Sequence, residues 1–365
     1  MTESIWVGLD VHQDSITAAI LHGGSNTPDV VRLSGDLMKV RKLFRRLSHE
    51  GPVRSCYEAS GAGFVLHRVL REDGFHCEVI APSLIPKKPG DRRKTDRIDA
   101  VNLALLYRGG HLTPVHVPSS EQVELRQLLR LRGRYQQQAK STKLRITSVL
   151  RSHGYRFTGT RSLWTKQHRS WLEQMRRELT GPLHIVIAAE LEHHEYLEMQ
   201  RTSFDAEIER VAQSPTYRSF VDALCCFRGI KTLTAMTILC EVGDIRRFDS
   251  PRRLAAYLGL VPSERSSGDI QRRGPITKAG NSHARRLLVE AAWNNRHRAG
   301  ADLILNRRRQ GQPPEIVAIA IKAQHRLSKR FHHLHQKKHV NVAVTAVARE
   351  MCGFIWAALR ALPQN

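Results

Sequence analysis

A mixed α/β domain at the N-terminus, followed by an almost wholly helical remainder, is the fold class this sequence predicts. Three observations lead there. Apolar runs of strand length crowd the first hundred residues, and the hydrophobic period lengthens to that of a helix beyond about residue 119. The chain has 365 residues and 41% hydrophobic content, enough for two or three packed regions.

The N-terminal elements follow in order. Ile5 to Asp10 (IWVGLD) is an apolar run closed by a carboxylate, and Ser15 to Leu21 (SITAAIL) is a second strand ending at the turn Gly23-Gly24-Ser25-Asn26. Asp29 to Leu33 completes an antiparallel meander. From Asp36 to Ser48 the period changes: Leu37, Val40, Leu43, Phe44 and Leu47 share one helical face and Lys and Arg occupy the other. A strand at Val53 to Glu58, a helix from about Phe64 to Glu72 and a strand at Cys77 to Ala81 come next. A loop with Pro82, Pro86 and Pro89 leads to a helix starting near Asp96. The order βββαβαβα is that of an RNase H-like fold with strands one, four and five parallel.

Residues 119–215 read as a helical arm, coiled-coil-like but interrupted by Gly133 and the polar QQQ at 136–138, with a second helical stretch at 183–212 packing back on the first. Its basic residues Arg130, Arg132, Arg134, Lys140, Lys143 and Arg145 are either a solvated face or a second contact to nucleic acid. Residues 216–365 form a mostly helical C-terminal domain, and residues 1–118 the first domain. In the C-terminal domain, FRGIKTLTAMTILCEVGD resembles a helix–hairpin–helix, with Gly229 at the turn where backbone amides could meet a phosphate. A helix at 251–258, a loop at 259–281 and a helix at 282–298 follow.

Charge narrows the partners. Lys plus Arg number 58 against 34 Asp plus Glu, a formal charge of +24, and so large a surplus calls for a polyanion, best a nucleic acid. A membrane is the competing polyanion, but no apolar run approaches the roughly 20 residues of a spanning helix, and MTESIWVGLD lacks a signal-peptide layout. The six cysteines form no CxxC pair or disulfide-like spacing, so a reducing cytoplasm is expected. FHHLHQKKH at 331–339 has no acid or cysteine beside it and reads as a basic patch facing phosphate rather than a metal site.

Two constellations carry chemistry. Asp10 ends strand one and Glu58 ends strand four, which are neighbours in this fold. Asp96 and Asp99 of KTDRIDA are three apart and share one face of a helix's first turn. Four acids converging from three elements repel one another unless divalent ions, best Mg²⁺, lie between them, and such ions can clamp and polarise a phosphodiester. Taken singly, each has a structural reading: Asp96 as a helix cap, Asp99 as a dipole partner, Asp10 as a turn residue and Glu58 as an exposed strand end. Asp14 and Asp91 read as surface acids. The second constellation is Ser266-Ser267-Gly268, flanked by Arg265, Arg272, Arg273 and Lys278, which suit a bound phosphate. On residue chemistry alone, the serines there are as well explained by an ordinary turn.

The series GLDVHQDSI, CYEASG, KTDRIDA, RGIKTLTA, RLAAYLGLVP, SSG and ITKAGNSHARRLL resembles the DEDD transposases of the insertion-sequence one-ten family, from residue 5 to about 298. The resemblance implies a RuvC-like metal site at Asp10, Glu58, Asp96 and Asp99. It also implies a nucleophilic serine at Ser267 that becomes covalently joined to DNA, with metal supplied by another subunit's carboxylates. It further implies a structured bridge RNA that pairs with donor and target DNA, and a dimer or tetramer. Position 60 is Ser where the family often has Thr. Two other readings stay open: a junction-resolving nuclease using metal-activated water, which would need the acids but not Ser267, and a non-enzymatic nucleic-acid-binding protein.

Overall fold

A computed structural model of the chain describes residues 3–86, 95–264, 272–300 and 302–363. The chain divides into two compact units, Met1–Pro118 and Ser119–Asn365.

The first unit is built on a five-stranded sheet of β1 (Ile5–Val11), β2 (Ser15–Leu21), β3 (Asp29–Ser34), β4 (Val53–Glu58) and β5 (His76–Ile80). Its order is β3-β2-β1-β4-β5, with the β1–β2 and β2–β3 pairs antiparallel and the β1–β4 and β4–β5 pairs parallel. Period-2 alternation sends odd and even residues of β1 to opposite faces. Val7 and Leu9, with Tyr57 of β4, pack on α1 (Leu37–Ser48) and α2 (Val65–Glu72), where Val40, Phe44, Leu66 and Leu70 close the core. The other face takes α3 (Asp96–Arg108), whose Ala100, Leu103 and Ala104 meet Ala19, Leu21, Cys56 and Ile80. Gly8 is what lets α3 lie this close. A Cβ there would stand 2.3 Å from the Ala100 carbonyl oxygen and 2.4 Å from the Ala104 nitrogen.

The second unit begins with α4 (Ser120–Ser152), opened by a reciprocal capping box between Ser119 and Gln122. Gly133 and the glutamines leave it unbroken. Next come α5 (Lys166–Glu178), which the sequence reading did not distinguish, and α6 (Gly181–Ala212). Ile146 and Leu150 of α4 gather Leu172, Met175, Ile187 and Leu191 into a small core at one end of this hairpin. At the other end Leu125, Leu129, Ile208 and Ala212 belong to the main core of the unit.

That core is completed by α7 (Arg218–Cys225), α8 (Thr232–Val242), α9 (Pro251–Tyr257), α10 (Ser282–Ala292), α11 (Leu303–Arg309), α12 (Pro314–His335) and α13 (Val340–Ala361). Three sequence-based expectations need correction. The stretch 259–281 is not all loop: β6 (Pro262–Glu264) and β7 (Arg273–Ile276) pair antiparallel within it. The helix expected to run to 298 ends at Ala292, where the side chains of Asn294 and Asn295 donate back to the carbonyls of Ala291 and Ala292 and a 3₁₀ turn takes over. Finally, α13 is long and apolar enough by length and composition to cross a membrane. Val347, Met351 and Ile355 are buried in the main core of the unit, so α13 is accounted for as a core helix.

Candidate active site

The carboxylates gather at one end of the β1–β4 pair. The parallel register sets Gly8 beside Cys56 and Leu9 beside Tyr57, and Asp10 and Glu58 are the next residues along the two strands. Gly8 and Cys56 touch α3, Cys56 through a thiol contact to the Leu103 carbonyl. By parity, Asp10 and Glu58 stand on this α3 face. Asp96 and Asp99 occupy the first turn of α3. Asp96 is not the helix cap: Thr95 takes that role, its hydroxyl accepting from the Ile98 N–H at 3.2 Å. The Asp96 carboxylate is thereby free for another use, and both acids gain from the partial positive charge of the helix start.

Among the described residues, one group of potential metal donors lies with all its atoms within 4.8 Å of one another: Asp10, His12 and Asp96. His12 Nε2 is 3.2 Å from Asp10 Oδ2 and 3.7 Å from Asp96 Oδ1. Burial pushes the Asp10 carboxyl above its ordinary value; His12 pulls it down, while the charges of Asp96 and then Asp99 push it up again. Glu58 shares the face but is exposed and lies outside the tight group. His12 was missed in the sequence reading, although its signal was present: two residues after Asp10 at the end of a strand, it shares that residue's face. Asp14 is exposed, and Asp91 lies outside the described residues.

The second constellation is described only at its flanks. Arg265, Ser266, Ser267 and Gly268 lie outside the described residues. β6 and β7 enclose that segment, with Glu264 opposite Arg273, and both Arg272 and Arg273 are exposed. Lys278 is exposed in a left-handed conformation, φ 55°, and its N–H donates to the Gly259 carbonyl. Two close backbone approaches hold this base: a Cβ on Gly259 would lie 2.1 Å from the Ala279 oxygen, and one on Gly280 2.0 Å from the Tyr257 oxygen.

Beneath it sits a carboxylate of a different kind. Glu241 of α8 has a fully buried side chain that receives both Arg130 nitrogens at 2.8 Å, and its Oε2 accepts from Asn281 Nδ2 at 2.7 Å. Asn281 in turn caps α10 through the Ala284 N–H, and the Tyr257 hydroxyl donates to the Glu241 backbone carbonyl. Burial alone would push the Glu241 carboxyl up, but Arg130, Asn281 and Arg126 together hold it below its ordinary value.

Such pairing also settles half of the question about the arm. Arg130 is bound to Glu241, Arg132 to Asp205 at 2.7 Å and Arg145 to Glu190 at 2.8 Å, so these three are neutralised within the protein. Lys143 lies over the Trp164 ring, 5.1 Å from its centroid. Gly229 has a packing role: φ is +85°, and a Cβ would stand 2.3 Å from the Ala291 oxygen, which accounts for the glycine without a phosphate.

Comparison with known proteins identifies the class. Residues 7–154 match the family model of DEDD transposases of the IS110 type, and residues 221–304 match that of the IS116/IS110/IS902 transposase family. A protein of Sinorhizobium fredii described as a transposase, y4qE, is 36% identical across 99% of this chain and 90% of its own length. The transposase of insertion sequence IS1533 from Leptospira borgpetersenii is 30% identical over 93% of this chain and 99% of its own. That of IS1111A from Coxiella burnetii is 26% identical over 64% of each. The chain belongs to the IS110 family of transposases, enzymes that cut DNA and transfer its strands. The non-enzymatic reading is thereby set aside.

Proposed function

We propose that the chain moves an insertion sequence through a serine–phosphate intermediate assisted by a carboxylate-held divalent ion. The observation that carries this reading is the gathering of Asp10, His12 and Asp96 at the end of β1 and the start of α3, with the Asp99 charge also felt at Asp10. On this reading the sheet is RNase H-like (RuvC-like) and Glu58 completes the set. The donor set fits a hard divalent cation such as Mg²⁺: it is rich in carboxylate oxygen, and the mutual repulsion felt at Asp10 would be relieved by a positive ion. Asp10, Asp96, Asp99 and Glu58 would hold it, with the His12 ring nitrogen within reach. Once bound, the ion would supply charge neutralisation at the scissile phosphate.

The remaining work belongs to the protein's own groups. Ser267 gives up its hydroxyl proton as Oγ attacks the phosphorus, and an Oγ–P bond forms while the bond from phosphorus to a sugar oxygen breaks. That oxygen takes up one proton as it leaves, so no proton is gained or lost overall. Arg265, Arg272, Arg273 and Lys278 hold the phosphate and oppose the charge that builds on its oxygens. The acids come from another subunit, so the working species is at least a dimer, and a tetramer on paired DNAs. A structured bridge RNA pairs with donor and target, leaving sequence choice to base pairing. The enzyme acts in a reducing cytoplasm, where its six cysteines remain thiols.

The test is covalent chemistry. Element-end DNA, Mg²⁺ and the RNA flanking the gene should yield a protein–DNA adduct that Ser267→Ala abolishes. An adduct that persists in Ser267→Ala transfers the role to another hydroxyl, Ser266 first.

A further inference from the structure

The histidine-rich end of α12 has no part in the chemistry above, and its surroundings are unusual for a surface helix. From Ile316 to Arg349 the chain contains no Asp or Glu, while it carries Lys322, Arg326, Lys329, Arg330, Lys337, Lys338, Arg349 and five histidines. The helix has two distinct sides. Ile316, Ala320, Ala323, Leu327 and Phe331 are buried, and Gln324 and Ser328 lock the inner side by donating to the carbonyls of Gly300 and His297. On the opposite side Lys322, His325, Lys329, His332 and His333 are all exposed. At about 100° per residue, Lys322, Lys329 and His333 fall within roughly 40° of one another and form a line.

Part of the cationic charge of this protein is spent on internal partners. Arg132, Arg145, Arg176, Arg201 and Arg210 each have a carboxylate within 3 Å. On α12 only the edge nearest α13 is treated this way, where Arg326 and Arg330 both face Glu350. Among the described residues, no carboxylate lies within 4 Å of Lys322 or Lys329.

We propose that this outer face of α12 is a docking surface for the phosphate backbone of duplex DNA. The partner follows from charge complementarity and from the family's activity, which brings duplex DNA to the protein. Lys322 and His333 are eleven positions apart, about 17 Å along the helix. That length spans about five phosphates of one strand at roughly 3.4 Å of rise each. Lysines contribute point charges, imidazoles contribute N–H donors, and none reads a base, so the surface binds without sequence preference.

The full-length protein and a labelled duplex of mixed sequence, lacking element ends, test this by fluorescence anisotropy across a salt series. The triple variant Lys322→Gln/Lys329→Gln/His333→Gln should bind about tenfold more weakly at moderate salt. Its log K against log[salt] slope should be shallower by about 0.9 for each phosphate contact removed. Its thermal unfolding should match the parent, since all three side chains are exposed. Glu350→Gln, which releases Arg326 and Arg330, should tighten binding and steepen the slope. An unchanged affinity and slope in the triple variant would overturn the proposal. So would a loss confined to a structured RNA hairpin with duplex binding intact, which would assign the face to RNA.

Discussion

Two carboxylate sites in this molecule solve the problem of a buried or crowded negative charge in opposite ways. At the edge of the N-terminal sheet, Asp10 and Asp96 both lie within 4 Å of the exposed ring of His12, and the Asp10 carboxyl is driven upward by burial and by the charges of Asp96 and Asp99. Beneath β6 and β7, Glu241 is more deeply buried, yet its carboxyl is held down because Arg130 and Asn281 satisfy both oxygens. Burial alone therefore does not separate a structural acid from a reactive one. The distinguishing quantity is how much of the charge is answered inside the protein. Glu241 is answered fully, and it ties α4, α8 and the start of α10 together. In the Asp10 group the charge is answered, among the described residues, by His12.

The sharpest way to break this contrast is to remove one acid from each site. Glu241→Ala strands Arg130 and releases Asn281, and losing one partner of a buried pair costs about 3–5 kcal/mol. Chemical denaturation should show that loss, and a change under about 1 kcal/mol would mean the pair is solvated in solution. Asp10→Asn should do the reverse. Unfolding stability stays level or rises, because a repulsive charge is gone, while strand transfer falls by about 10²–10³-fold.

Divalent ions sharpen the comparison next. Mg²⁺ or Mn²⁺ should raise the melting temperature of the parent, by an amount equivalent to about 2.7 kcal/mol at a hundredfold excess over Kd. The rise should vanish in Asp10→Asn/Asp96→Asn and survive in Glu241→Gln measured against its own metal-free baseline. Survival in the aspartate variant would place the ion elsewhere.

The smallest effect concerns pH and lies in the far end of the α4–α6 hairpin. His168 and His194 are buried against Trp164, and burial holds both rings below their ordinary value of 6.5; for His194 the charge of Lys143 adds to this. The unfolded chain therefore takes up protons first as pH falls. Stability from these neutral rings is complete above about pH 6.5 and declines as pH drops toward the folded value. Hydrogen exchange of α5 should accelerate on acidification through that window, and His168→Phe should flatten the response. A pH-independent exchange rate would show that the rings reach solvent.

The first unit was legible from residue pattern to topology. Period-2 runs such as SITAAIL and the period change at Asp36 are local signals, and their order βββαβαβα points to a sheet with strands one, four and five parallel, as in the observed order β3-β2-β1-β4-β5. Asp10 and Glu58 could be placed at one edge of the sheet, and Asp96 and Asp99 on one turn of a helix, because strand ends and helix spacing are read within a few residues. The tertiary structure decided what depends on partners distant in sequence. Arg130 could be read as a nucleic-acid contact until Glu241, 111 residues away, was seen to neutralise it. Thr95 displaced Asp96 as the cap, His12 joined the acids, and Gly229 proved to serve the packing of α10. Charge on a helix face is visible in the sequence, but whether that charge is already paired is a matter of distance, and distance belongs to the fold.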